Sequence, residues 1–164
     1  MIIRRSLSAL VALGSLVGLL ILSSSLVIAQ TDSTIGTWRL NVAKSKYQPG
    51  PASVSETRVY EAAPGGGIKA TFNRVEESGN KRTITYTAMY DGKDYPYMGS
   101  PDADTISLKR IDANTVEAVQ KRNGKVTLMT KAVISPDGKT RTLTTTGTNA
   151  QGQKINNLMV FERQ

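Results

Sequence analysis

The sequence predicts an all-β fold, an up-and-down antiparallel β-barrel of about 8–10 strands, and three observations carry that prediction. Turn-forming residues recur at short intervals along the whole chain after Ala29. Between them lie strand-length runs rich in Thr, Val, Ile and Tyr that alternate apolar and polar side chains, the period of a half-buried antiparallel strand. No segment after Ala29 carries a helical period. Short connections between so many strands make a meander, and a long meander curls until its edges meet, which removes them as sites of aggregation.

The elements follow in order. Arg4 and Arg5 precede an uncharged apolar run, Leu7 to Leu22, then Ser23-Ser24-Ser25 and Val27-Ile28-Ala29. That is the layout of a secretory signal peptide over residues 1–29, with the mature chain beginning at Gln30 and residues 30–164 forming a single barrel domain. The stretch from Ser6 to Thr31 is also uncharged and long enough to serve as an uncleaved anchor. Under either reading the arginines stay inside and the domain is exported, to the periplasm or beyond the cell.

Gly36-Thr37-Trp38 opens the first strand, and a Pro/Gly-rich loop from Ala43 to Ser53 follows it. Pro64-Gly65-Gly66-Gly67 then leads into a strand with Ile68, Ala70 and Phe72 on one face. Ser78-Gly79-Asn80 precedes Ile84, Tyr86 and Ala88, which share a face opposite Thr83, Thr85 and Thr87. Asp91-Gly92 is followed by the short run Asp94 to Met98, and Gly99 to Asp102 by a strand with Ile106 and Leu108 inward. Asn123-Gly124 suits the positive φ values of a tight hairpin. Beyond it Val126, Leu128, Ala132 and Ile134 oppose Lys125, Thr127 and Lys131. Pro136-Asp137-Gly138 and Gln151-Gly152 bound the last hairpins.

Composition narrows the chemistry. Arg4 and Arg5 are two of the 21 basic residues, so the chain from Gln30 carries 19 against 13 acidic ones, a net +6. The basic residues are spread and form no run, which reads as a solvated surface without a nucleic-acid partner. There is no cysteine, so no disulfide staples the fold and no lipidated cysteine anchors it. There is no histidine, which removes the usual general base, the Ser-His and Cys-His pairs and His-ligated metals. Asp91, Asp94, Asp102 and Asp104 lack calcium-loop spacing and suit turns instead. Neither a catalytic set nor a metal or cofactor is expected, and the domain reads as a monomer that is not embedded in a membrane.

Gly36-Thr37-Trp38 resembles the Gly-x-Trp signature of lipocalins and fatty-acid-binding proteins, and Arg163 in Val160-Phe161-Glu162-Arg163 sits where those families carry an arginine over the tryptophan. The stretches Asp91-Gly92-Lys93-Asp94-Tyr95-Pro96 and Pro101-Asp102-Ala103-Asp104-Thr105 are similar to a group of uncharacterised exported bacterial proteins of lipocalin-like type. The resemblance implies a closed barrel end plugged by Trp38 and Arg163, and a mouth at the end with the longest loop. Two departures weaken a lipid-carrying role. The helical lid of fatty-acid-binding proteins is replaced by the short Ala43 to Ser53 loop, and their Arg-x-Tyr clamp on the last strand is missing.

Strand parity nominates the interior. If Asp94 to Met98 is a strand, the mouth carries Tyr47 and Tyr97, with Tyr86, Arg110 and Arg141 deeper inside. An inward arginine invites a carboxylate or reaches solvent at a strand end. The leading function is therefore a barrel that binds a small apolar or amphipathic molecule through Tyr47, Tyr86, Tyr97, Arg110 and Arg141. A ligand-free structural or interaction protein of the envelope is the alternative, and a cofactor-free enzyme a third that the missing histidine and cysteine disfavour.

Overall fold

Ten strands follow one another along the computed structural model, which describes residues 32–50 and 52–164. The signal peptide read over residues 1–29 lies outside the described residues. The strands are β1 (Gly36–Leu40), β2 (Ser55–Ala63), β3 (Gly67–Val75), β4 (Lys81–Ala88), β5 (Tyr95–Met98), β6 (Thr105–Arg110), β7 (Thr115–Arg122), β8 (Lys125–Ile134), β9 (Thr140–Thr148) and β10 (Lys154–Arg163). Each pairs antiparallel with the next, and β1 also pairs with β10, so the sheet closes into an up-and-down barrel. Helical structure among the described residues is confined to two 3₁₀ turns, Val42–Lys44 and Pro64–Gly66.

Alternation and register fix which side chains face in. Ile68, Ala70 and Phe72 of β3 are buried, as are Ile84, Tyr86 and Ala88 of β4 and Ile106 and Leu108 of β6. Val126 departs from the alternation. The β7–β8 register slips between Gln120 and Lys121, so that Gln120 faces Leu128 but Lys121 faces Val126, and Val126 lies 56 % exposed. A bulge of this kind turns the residues beyond it away from the pattern of the strand.

Asp94 to Met98 does supply a strand, although a short one. β5 pairs with β4 through Thr85↔Met98 and Tyr86↔Tyr97, and with β6 through Tyr95↔Ile106 and Pro96↔Thr105. Pro96 has no N–H to give to the ladder, which keeps this seam thin. Because β5 counts, the strand directions place Arg110 and Arg141 toward one barrel end and the Tyr47 loop at the other.

That first end is sealed by a clasp of side chains. Trp38 is fully buried, and its indole Nε1 donates to the Thr34 carbonyl at 2.9 Å. The Arg163 guanidinium lies 4.2 Å over the Trp38 ring, a cation–π contact worth about 1 kcal/mol. Its nitrogens donate to the carbonyls of Ser33 at 2.6 Å, Ile35 at 2.7 Å and Gly138 at 2.8 Å. Gly36 is required beside it, since a Cβ there would stand 2.6 Å from Arg163 Nη1. Asp32 ties the same segment down by accepting from Tyr90 Oη, the Thr34 N–H and Arg110 Nη2. Burial pushes the Asp32 carboxyl up, but these three donors outweigh it and hold it below the usual carboxylate range.

At the other end the segment after β1 runs along β10 before crossing to β2. Lys46 bridges Leu158, the Asn156 N–H donates to the Gln48 carbonyl, and the Gln48 N–H donates to Asn157 Oδ1. On β9, Gly147 meets β8 so closely that a Cβ would lie 2.0 Å from the Thr127 carbonyl oxygen, at a φ of +142°. Gly147→Ala is expected to cost roughly 2–3 kcal/mol through strain and overlap. Gly152→Ala, in open space on the next turn with φ +79°, is expected to cost about 1 kcal/mol. Urea unfolding of the two variants measures the difference.

Candidate functional site

The barrel encloses a cavity of about 710 Å³. Pro49, Ser78, Pro101 and Asn149 rim it at the Tyr47 end, and Thr34 and Tyr90 lie at its floor. Its two sides differ. Strands β2 to β5 contribute Tyr60, Phe72, Tyr86 and Tyr97, whereas the lining residues of β7 to β10 are aliphatic or carry hydroxyl, amide, thioether or guanidinium groups, with no aromatic ring. The rings form a chain, with centroids 5.6 Å apart for Tyr60–Phe72, 5.7 Å for Phe72–Tyr86 and 5.8 Å for Tyr86–Tyr97. The direct register pair Tyr86↔Tyr97 builds the last link.

Four of the five sequence-predicted ligand residues, Tyr47, Tyr86, Tyr97 and Arg141, line this cavity together. Arg110 does not. It lies outside the cavity lining, at the sealed end, held by Asp32 and stacked 3.9 Å from the centre of the Tyr90 ring. Burial pushes the Tyr86 and Tyr97 phenols well above their ordinary values, so both remain hydrogen-bond donors at physiological pH.

Sequence parity missed the charged core of β2. Glu56, Arg58 and Tyr60 share the inward face, and all three are buried. Glu56 accepts from Arg58 Nε at 2.6 Å and from Arg74 Nε at 2.8 Å. Burial alone would raise the Glu56 carboxyl, but the two guanidiniums outweigh it and hold it below its ordinary value of 4.5. Arg58 is also packed between two rings, 4.3 Å from the Phe72 centroid and 4.6 Å from that of Phe161. Its charge is thus fully answered. The alternation Glu56-Thr57-Arg58-Val59-Tyr60 was the available signal, but it reads as strand without saying that the polar face turns inward.

Arg141 is in a different position. It is 5 % exposed, and its guanidinium lies 4.3 Å from the centre of the Tyr60 ring. Yet Nε and Nη1 have no hydrogen-bond partner among the described residues. The Tyr47 hydroxyl, at the other end, is likewise buried and unpartnered among them. A cation–π contact returns about 1–2 kcal/mol, less than the several kcal/mol lost when a cation leaves water. Arg58 and Arg74 share the Glu56 carboxylate, whereas no ion pair among the described residues involves Arg141.

No cluster of three metal-ligating side chains exists among the described residues, and none of their helices is long and apolar enough to cross a membrane. Comparison with protein families, curated proteins and solved structures finds no match to this chain.

The Glu56 triad makes a pH-dependent contribution to stability. Because the folded-state pKa lies below the unfolded value of 4.5, the contribution is complete above that value and is lost as pH falls through the folded one. Glu56→Gln is therefore expected to be less stable than the parent near pH 7, and the gap between the two stability curves should narrow as the pH falls below 4.5. Glu56→Ala, which strands Arg58 without a counter-ion, should cost about 3–5 kcal/mol at pH 7. Urea unfolding from pH 7 to pH 3 provides the check. A gap that does not change with pH would place the effect in packing.

Proposed function

We propose that this protein is an exported barrel that binds a small amphipathic molecule bearing an anionic group, with that group held by Arg141. The observation that carries the reading is the Arg141 guanidinium itself, buried at 5 % exposure on the cavity wall with two N–H groups unpartnered among the described residues. A barrel that only had to stand would gain stability by replacing such a group with an apolar one. The open volume supports the same reading, since about 710 Å³ falls in the range of small-molecule sites. The aromatic strands β2 to β5 offer apolar surface to the body of the ligand, and entry is from the Tyr47 end. A ligand-free structural role leaves both the volume and the unpaired charge without a purpose. Export rests on the N-terminal reading of residues 1–29.

The experiment is a fluorescence titration of the native protein with 8-anilinonaphthalene-1-sulfonate, an anionic amphiphile. Saturable binding is expected. Arg141→Met should weaken it roughly ten- to hundredfold, the loss of one or two hydrogen bonds to a charged group. In the absence of ligand the same variant should unfold at an unchanged or higher urea concentration. Lys131→Ala, on the exposed outer face of β8, should change neither. No saturable binding, or equal weakening by both substitutions, refutes the assignment of Arg141.

A further inference from the structure

Polar groups are spread through the depth of the cavity instead of being gathered at one level. Strand direction orders them. Arg141 is the second residue of β9 from the sealed end, and Tyr60 lies beside it. Midway, Tyr86 and Tyr97 present phenols from one side, and Thr130 and Thr145 present hydroxyls from the other. Nearer the mouth, Gln120 and Asn157 add amides.

The threonine pair is informative. Thr130 Oγ1 and Thr145 Oγ1 are 2.8 Å apart, and both residues are buried. Only one proton can lie between two oxygens, so the second hydroxyl keeps a proton that it can donate elsewhere. It and the phenols of Tyr86 and Tyr97 face the same space.

An unbranched alkyl chain threaded from the mouth to Arg141 would cover these groups and return no hydrogen bonds, which is costly for each group left unanswered. The four aromatic rings add to the mismatch. They are tilted or perpendicular to one another, at 59°, 82° and 50°, and so form an uneven wall suited to a broad body more than to a narrow chain. We infer that the ligand is an oxygenated carboxylate, a compact molecule that carries hydroxyl or carbonyl groups along its length, and not a linear fatty acid. The inference rests on the anion-binding role proposed for Arg141 and specifies what that anion is attached to.

Four carboxylates separate the possibilities. Lithocholate, deoxycholate and cholate share one ring skeleton and carry one, two and three hydroxyls, and hexadecanoate supplies the chain. All four present a carboxylate to Arg141, so differences among them report on the rest of the cavity. Each is titrated into the purified protein by isothermal calorimetry below its micellar concentration. In an apolar cavity every added hydroxyl weakens binding. Here affinity is expected to rise from lithocholate to cholate by at least threefold, with hexadecanoate the weakest. Tyr86→Phe and Thr130→Val, which remove hydroxyls while keeping side-chain shape, should each reduce that rise.

Affinity that falls with each hydroxyl, or hexadecanoate binding tightest, overturns this inference. The Arg141 reading survives that result, provided the carboxylates still bind and Arg141→Met still weakens them. A rise that persists undiminished in both hydroxyl variants also overturns it, because the gain then comes from elsewhere. Failure of all four carboxylates and of 8-anilinonaphthalene-1-sulfonate to bind removes both proposals together.

Discussion

Ten strands closed edge to edge enclose more space than their inward side chains fill, and the rest of this structure follows from that geometry. An eight-stranded barrel is just wide enough for side chains to meet across its interior, and two further strands widen it. The chain closes this wide barrel without a disulfide, since it has no cysteine. Closure falls to the pairing of β1 with β10 and to the clasp of Arg163, Trp38 and Asp32 at one end. Arg163 alone joins three carbonyls from two segments across that end. Among the described residues the other end carries no comparable seal, and the loop through Gln48 leans on β10 there.

The width of the barrel also explains why charge is tolerated inside it. Glu56 and Arg58 are both buried, yet each has partners within hydrogen-bonding distance or rings at van der Waals distance. Such a triad adds little net stability over an apolar substitute, but it is damaging to break. Arg141 breaks the pattern on the same inner surface: Arg58 and Arg74 share a carboxylate, and among the described residues Arg141 has only a ring. The contrast between answered and unanswered guanidiniums is what supports the proposal that this cavity binds a ligand.

The sequence made the strands legible because turn chemistry and period-two alternation are local. Asn123 does adopt a positive φ, at 50°, and the strands bounded by the predicted turns are all present. Even the weakest run, Asp94 to Met98, forms a strand despite Pro96. Parity carried Tyr86, Tyr97 and Arg141 to the interior because one face of each strand points there. It failed for Val126, where a bulge shifts the phase, and it stopped short for Arg110, whose partner Asp32 is 78 residues away. It also missed Glu56 and Arg58, because a rule that puts apolar residues inward cannot identify a strand that turns its charges in. Partnership across the barrel is a property of closure, and no local pattern encodes it.

The central claim is the proposal that the buried Arg141 guanidinium holds an anion. Native mass spectrometry of the protein isolated without denaturation from the cells that produce it tests this most directly. The account predicts that part of the population carries the added mass of one small molecule, and that Arg141→Met prepared in the same way carries much less. Bare polypeptide mass for both proteins, with no difference between them, would contradict it.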